Sequence, residues 1–93
     1  MSSDLVNQSP ERTEVAAFIR DYLVRRHAAD EDAVEARTFN ELYVDSLGIV
    51  QLGMKVKKRF GVEFAANEIT GADSVGSVID AVHSRALTGE VRA

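Results

Sequence analysis

The 93-residue chain contains no cysteine and no tryptophan, and it has a single proline. Without cysteine it forms no disulfide, offers no thiol nucleophile and binds neither a cysteine-ligated zinc ion nor an iron–sulfur cluster. No run approaches the roughly 18 apolar residues of a membrane span, and residues 1–9 lack the basic and apolar regions of a signal peptide. We therefore expect a cytoplasmic protein that does not bind membranes.

A surplus of positive charge is also missing. The chain carries 15 acidic and 11 basic residues, a net charge of −4, whereas general binding of nucleic acids requires a positive surface. Its 45% apolar and 28% charged residues are typical of a folded chain, and its length leaves room for one domain. We expect a tail over 1–8, a domain over 9–88 and a tail over 89–93. Met1 and the short tails favour a free-standing protein.

Apolar residues recur every three or four positions, which predicts an all-α fold. The first helix is expected to have Ser9 as its N-cap and Pro10 as its first residue, and to end near His27 or Ala28. The last helix is expected to begin near Ser74. The apolar stripes of these two helices are Val15, Phe18, Ile19, Tyr22 and Leu23, and Val75, Val78, Ile79, Val82 and Ala86.

A long connection, residues 29–45, leads to a middle helix over about 46–60, which Gly61 is expected to end in the left-handed conformation. Thr38 and Glu41 have the spacing of a capping box. A loop of this length in a small domain is usually functional or packed, and we expect it to be packed. A short turn is expected at 67–71. The residues predicted in the core are Phe18, Phe39, Leu52, Phe60 and Ile79.

The middle helix has apolar residues on two nearly opposite sides when its positions are plotted at about 100° per residue. One side carries Ile49, Leu52, Val56 and Phe60, and the other carries Leu47, Val50 and Met54. One neighbouring helix cannot cover both sides. Either other elements bury the second side, or part of it is an exposed docking surface, as contiguous apolar residues rimmed by charge often are.

Charge is unevenly distributed along the chain. Residues 46–60 contain four bases and no acid, a net charge of +4, whereas the rest of the chain carries 7 bases and 15 acids, a net charge of −8. Lys57 and Arg59 suit the negative C-terminal end of the helix. Lys55 and Lys58 border the second apolar side, which predicts a partner with a partly acidic docking surface.

Ser46 lies where the long connection enters the middle helix. On residue type alone, either Asp45 or Ser46 is a good N-cap. The free backbone N–H groups and the positive dipole end at this position also favour a phosphate, including one attached to the serine hydroxyl. Both interpretations remain open at this point.

The run Phe39-Asn40-Glu41-Leu42-Tyr43-Val44-Asp45-Ser46-Leu47, followed by Phe60-Gly61-Val62, resembles the acyl carrier protein family, including its polyketide and peptidyl carrier relatives. The resemblance extends over about 11–87. It implies a four-helix bundle with a long first loop and a short third helix. It also implies that Ser46 carries 4′-phosphopantetheine, with Asp45 beside the phosphate. The partner-binding residues are then expected to be Leu47, Val50, Gln51, Met54, Lys55 and Lys58.

In this interpretation the protein is a monomeric, non-catalytic carrier of an acyl thioester. Its partners are a phosphopantetheinyl transferase and an acyltransferase, a ketosynthase or an adenylating enzyme. Two features depart from the family. Tyr43 replaces the usual glycine, which makes a positive φ unexpected there, and bases replace the usual acids of the middle helix. Since such acids face basic patches of fatty-acid enzymes, we expect a specialised polyketide-type role; a peptidyl carrier is the alternative.

Three other functions compete with a carrier. A small nucleic-acid module would use residues 55–59, but the net charge and the lack of interleaved aromatic residues disfavour it. A hydrolase would use Ser46, but no Gly-x-Ser-x-Gly motif surrounds it, and His27 and His83 are distant in sequence. A calcium site at Asp30, Asp32 and Glu35 lacks the glycine that such a loop requires.

Overall fold

The structure is a computed structural model that describes residues 10–27, 33–65 and 67–88 of the chain. Within these residues, three α-helices are formed: α1 (Arg12–His27), α2 (Ser46–Phe60) and α3 (Val75–Thr88). A 3₁₀ turn, Val34–Ala36, lies in the connection between α1 and α2. The described part has no β-strand, and its one isolated β-bridge joins Thr38 to Ser74. The all-α prediction is therefore confirmed.

The start of α1 differs from the prediction. The helix begins at Arg12 instead of Pro10, and the carbonyl of Glu11 accepts hydrogen bonds from the N–H groups of Glu14 at 2.9 Å and Val15 at 3.1 Å. A proline is compatible with the first turn of a helix but does not require a helix to begin there. The predicted N-cap, Ser9, lies outside the described residues.

The core lies between the three helices and the loop that precedes α2. Phe39, Leu52 and Ile79 are buried, as predicted, whereas Phe18 and Phe60 are only partly buried and pack against the edge of the core. Their rings meet edge to face, with centroids 5.4 Å apart. Phe60 is the last residue of α2, where fewer neighbours remain to cover a large ring. The other buried apolar residues are Val15, Ala16, Ile19, Tyr22, Leu23, Val34, Leu42, Val44, Ile49, Val56, Val62, Val75, Val78 and Val82.

The described part of the connection before α2, residues 33–45, is packed and capped as predicted. Thr38 and Glu41 form a reciprocal capping box: the Thr38 N–H donates to Glu41 Oε1 at 2.9 Å, and the Glu41 N–H donates to Thr38 Oγ1 at 3.1 Å. The Asn40 N–H donates to the carbonyl of Gly71 at 2.9 Å. This last bond and one from the Phe39 N–H to the Asp73 carbonyl at 3.2 Å tie the loop to the segment before α3 and hold the entry to α2 in position.

The short third helix that the family resemblance implies is not formed among the described residues, whereas the turn expected at 67–71 is present. Residues 67–69 and 71–73 are turns and bends, and Asn67 has a φ of 68°, so a right-handed helix does not run through this residue. The turn is closed instead by side chains, since the Thr70 N–H donates to Asp73 Oδ2 at 2.8 Å. The described part thus has three α-helices and not the predicted four-helix bundle.

An ionic cluster connects α1, the 3₁₀ turn and α3. Arg12 Nη2 lies 3.0 Å from Glu35 Oε1 and Arg12 Nε lies 2.5 Å from Asp80 Oδ1, while Arg20 lies 3.5 Å from Glu35. The hydrogen bonds that Arg12 donates to Asp80 and then to Glu35 raise the pKa of Arg12 above its usual value. The Glu35 carboxylate is therefore engaged by two arginines. No helix in the described part is long and apolar enough to cross a membrane.

Candidate functional site

The first turn of α2 presents Ser46 at the protein surface. Asp45 is the N-cap, since its backbone is extended and its Oδ1 accepts a hydrogen bond from the Gly48 N–H at 2.9 Å. This settles the choice between Asp45 and Ser46. Because Asp45 caps the helix, the exposed Ser46 hydroxyl is not needed for that role.

Two backbone N–H groups are available beside this hydroxyl. In the first turn, the N–H of Gly48 is taken by Asp45 and that of Ile49 by the Asp45 carbonyl at 3.0 Å. Within the described residues, no hydrogen bond is made by the N–H groups of Ser46 and Leu47. Together with the helix dipole, such groups stabilise a negatively charged ligand.

Close packing fixes the inner side of the same turn. A Cβ atom on Gly48 would lie 2.8 Å from Val44 Cγ1 and 3.0 Å from His27 Cε1, so glycine allows the end of α1 to approach α2 here. The Nε2 atom of His27 is buried and has no hydrogen-bond partner among the described residues. The sequence contained no signal for this contact, because it depends on how two helices meet.

Tyr43 adopts a left-handed backbone conformation, although a positive φ was not expected for a residue with so large a side chain. Its φ is 60°, and its side chain is 92% exposed. The turn that imposes this φ is held by two hydrogen bonds, from the Tyr43 N–H to the Asn40 carbonyl at 3.1 Å and from the Val44 N–H to the Phe39 carbonyl at 2.9 Å. A left-handed conformation costs an L-residue with a side chain about 1–2 kcal/mol.

The second apolar side of α2 is exposed. Leu47, Val50 and Met54 are 62%, 57% and 65% exposed, and we call these three residues the exposed strip. Gln51 also lies at the surface of α2. The opposite side, with Ile49, Leu52 and Val56, is buried in the core. The sequence thus located both sides correctly, and the structure shows which one is uncovered.

The four bases of α2 divide into two pairs. Lys57 forms an ion pair with Glu63 at 2.9 Å, and Arg59 forms one with Glu14 at 2.7 Å. Among the residues that the structure describes, Lys55 and Lys58 have no ion-pair partner. The two bases without a described partner are the two predicted to border the exposed strip.

A groove of about 710 Å³ lies between α2 and residues 63–65 and 67–71, and Ser46 is one of its lining residues. The polar residues that line it are Asn40, Asp45, Ser46, Lys57, Glu63, Asn67 and Thr70, and the apolar ones are Val44, Ile49, Val50, Met54, Phe64, Ala65 and Ile69. The opposite wall is held to α3 by Arg85, which stacks on Phe64 with its guanidinium carbon 4.4 Å from the ring centroid and donates to the Glu63 carbonyl at 2.9 Å.

Arg85 also forms an ion pair with Glu68 on this wall. Hydrogen bonding to Arg85, and then to the Ala65 N–H, lowers the pKa of Glu68 below its usual value. Phe64 and Glu68 are therefore attached to α3, the first by a stacked ring and the second by a charged pair. Both contacts stabilise the wall that faces α2 across the groove.

Comparisons with known proteins agree with this geometry. The family model described as the phosphopantetheine attachment site matches residues 17–82, which include the whole of α2. The chain belongs to the acyl carrier protein family. It is 32% identical over 59 residues to an acyl carrier protein of Coprothermobacter proteolyticus, which covers 63% of this chain and 72% of that protein. No solved structure matches the chain at a significant level.

As a member of this family, the carrier holds a covalent 4′-phosphopantetheine. The site on α2 fits that group. It offers an exposed hydroxyl at Ser46, two N–H groups without described partners for the phosphate, and a groove that begins beside the hydroxyl. Phosphopantetheinyl transferases and acyl-handling enzymes are the partners that such a carrier domain implies.

The acidic residues and histidines of the competing functions are not brought together in the part of the carrier that the structure describes. Asp30 and Asp32 are outside the described residues, and Glu35 pairs with Arg12 and Arg20. No group of histidine, aspartate and glutamate side chains suited to a metal ion occurs in the residues described. His83 lies on α3, and His27 packs on the inner side of α2 against Gly48.

Proposed function

We propose that Ser46 Oγ is the attachment atom for 4′-phosphopantetheine, and that the loaded carrier presents acyl thioesters to the enzymes of a polyketide-type pathway. The observation that supports this most strongly is the position of Ser46. Its residue is exposed in the first turn of α2, its neighbour Asp45 already caps the helix, and the groove starts beside it. The terminal thiol of the attached group supplies the nucleophilic thiol that this cysteine-free chain lacks.

In the loading step, Ser46 Oγ forms a bond to the phosphorus that coenzyme A provides. The phosphoanhydride bond of coenzyme A breaks, adenosine bisphosphate leaves, and the serine proton passes to a base of the transferase. The N–H groups of Ser46 and Leu47 then stabilise the negative phosphodiester. Asp45 holds this turn in place through Oδ1, and its carboxylate also lies where the transferase or its metal ion approaches.

Intact mass measurement after incubation with coenzyme A and a phosphopantetheinyl transferase tests the attachment. Wild type and Ser84→Ala are expected to gain one phosphopantetheine group, and Ser46→Ala none. Ser84 is a matched control because it is an exposed serine on another helix, α3. An adduct on Ser46→Ala, or none on wild type, would contradict the proposal.

The docking surface of the carrier is proposed to be the exposed strip together with Gln51, Lys55 and Lys58. The strip provides apolar area and the two lysines provide positive charge without described partners. A partner with an apolar patch rimmed by carboxylates matches both features, because complementary charge speeds encounter and selects partners. The corresponding enzymes are an acyltransferase, a ketosynthase or an adenylating enzyme of the same pathway.

Salt dependence distinguishes a specialised carrier from one of fatty-acid synthesis. With a ketosynthase that presents a basic docking patch, wild type is expected to react slowly and to speed up as salt screens the repulsion. The Lys55→Glu/Lys58→Glu double variant should react faster at low salt and slow down as salt is added. A wild type that reacts at ordinary rates and slows with salt would remove the argument for an acidic partner.

An apolar acyl group is proposed to lie in the groove. A volume of about 710 Å³ is within the range of small-molecule sites, and apolar side chains line most of it. A group that binds the folded state raises its stability. The melting temperature of the carrier should therefore be higher with an octanoyl thioester than with the free thiol, whereas an acetyl thioester should change it little. Equal melting temperatures would place the acyl group in solvent.

A further inference from the structure

Tyr43 combines an unfavourable backbone conformation with a fully exposed aromatic ring. Three described residues other than glycine have a positive φ: Ala33, Tyr43 and Asn67. Asparagine adopts this conformation readily, and alanine has a small side chain. Tyr43 is the one with a large ring, and it is 92% exposed.

The fold does not account for the ring. The buried anchors of this turn are its neighbours Leu42 and Val44, and its hydrogen bonds come from backbone groups. Among the described residues, the phenol makes neither a hydrogen bond nor a ring contact. Glycine at this position would give the same turn at lower cost. Unfavourable backbone conformations that the fold does not need are concentrated at functional sites.

The ring lies close to the proposed attachment residue. Tyr43 lies three positions before Ser46 in the chain, so their Cα atoms are at most about 11 Å apart. A partner of standard size covers about 800 Å² of each surface, equivalent to a disc of about 16 Å radius. A contact of this size that is centred on Ser46 therefore extends to Tyr43.

We infer that Tyr43 is a specificity-determining contact residue for the enzymes that act at Ser46, first of all the phosphopantetheinyl transferase. The inference rests on the proposed function of Ser46. The phenol ring enters an apolar pocket beside the entrance to the active site of the transferase, next to the surface that contacts the exposed strip. Tyrosine suits such a contact because it offers a large rigid surface, and it is enriched among the residues that dominate binding.

Three variants of Tyr43 separate its backbone from its ring. The rate of modification is measured by mass spectrometry, with coenzyme A and the transferase of the organism that encodes this chain, and stability is measured by urea unfolding. Tyr43→Gly should raise the urea midpoint by about 0.5 M, because it relieves the left-handed strain. It should also lower kcat/KM for loading about tenfold, through KM and not kcat. Tyr43→Asn should load as slowly as the glycine variant, and Tyr43→Phe should load almost as fast as wild type.

Ala33→Gly is the matched control for the backbone effect. Ala33 also has a positive φ, of 61°, but lies in the turn before Val34–Ala36. The substitution should raise the urea midpoint without changing kcat/KM for loading. A lower rate in Tyr43→Gly is then not a consequence of a more stable fold.

The outcomes distinguish the inference from the proposed function. If wild type is modified and Tyr43→Gly is modified equally fast, the role of Tyr43 is wrong and the attachment at Ser46 stands. A lower urea midpoint for Tyr43→Gly would also overturn the inference, because the ring would then serve the fold. If wild type is not modified at all, both proposals fail.

Discussion

The two faces of α2 are both apolar, but only one of them is covered. Leu52 and Val56 are each 1% exposed, whereas Leu47 and Met54 are 62% and 65% exposed. A domain of this size can leave single apolar residues exposed at no special cost, but contiguous ones are typical of a binding surface. One face of α2 thus closes the core, and the other carries the proposed docking surface. Substitutions on one face at a time can test these two roles separately.

Leucine-to-alanine substitutions on the two faces are expected to show the largest difference in the free energy of unfolding. Leu52→Ala removes a fully buried side chain and is expected to lower the free energy of unfolding by about 2–5 kcal/mol. Leu47→Ala should change it by about 0.5 kcal/mol or less, while slowing reaction with partner enzymes. Urea unfolding and the rate of Ser46 modification measure the two effects. Comparable losses of stability for both variants would mean that the exposed strip is covered in solution.

The glycines of α2 provide a second matched pair. Gly48→Ala places a Cβ atom 2.8 Å from Val44 Cγ1, whereas a Cβ atom on Gly53 meets no heavy atom within 4 Å. Gly48→Ala is expected to destabilise the carrier by about 1–3 kcal/mol through crowding. Gly53→Ala should stabilise it by about 0.5–1 kcal/mol, since alanine is the better helix former. Thermal unfolding gives the sign, and two shifts of the same sign would refute the packing described for this face.

Asp45 caps the first turn of α2 and precedes the exposed Ser46. Its role as the cap and its proposed role in recognition by the transferase can be separated. Asp45→Ala loses the hydrogen bond from the Gly48 N–H and should cost about 0.5–2 kcal/mol. Asp45→Asn keeps an acceptor oxygen and should retain most of the stability. If the charge helps the transferase, Asp45→Asn will still be loaded slowly. Normal loading of a stable Asp45→Asn would limit the residue to capping.

The smallest expected effect concerns the wall opposite α2. Because Arg85 lowers the folded-state pKa of Glu68, this pair adds stability above pH 4.5. That contribution is lost as the pH falls through the lowered pKa. Glu68→Gln should thus have a slightly lower urea midpoint than wild type at pH 7, and the difference should disappear in more acidic solution. A difference that is constant with pH would mean that the charge is not involved.

Local patterns in the sequence predicted the parts of the fold that depend on neighbours along the chain. The apolar stripes of α1 and α3, the capping box of Thr38 and Glu41, and the left-handed Gly61 are all present. Each follows from helix periodicity or from a side chain that reaches a backbone group a few residues away. The prediction that α2 has apolar residues on two sides was also correct, because it too follows from helix periodicity.

The errors have a different origin. The short third helix is not formed among the described residues, where Asn67 has a positive φ, and Phe60, at the end of α2, is only partly buried. The expectation that Tyr43 has no positive φ was wrong, because its turn is held by Phe39 and Asn40, which the fold anchors independently. In these cases contacts outside the local pattern outweighed the preference of the residue itself.

The sequence by itself determined the all-α class, the amphipathic helices and the Asp-Ser-Leu motif that relates the chain to carrier proteins. These features depend on which residue types follow one another at helical spacing. Only the tertiary structure decided that Asp45 caps α2 while Ser46 is exposed, which of the α2 lysines are paired, and that Tyr43 is held in a left-handed turn. Those outcomes depend on how loop and helices pack together, because exposure, pairing and strain are properties of a residue's surroundings in space.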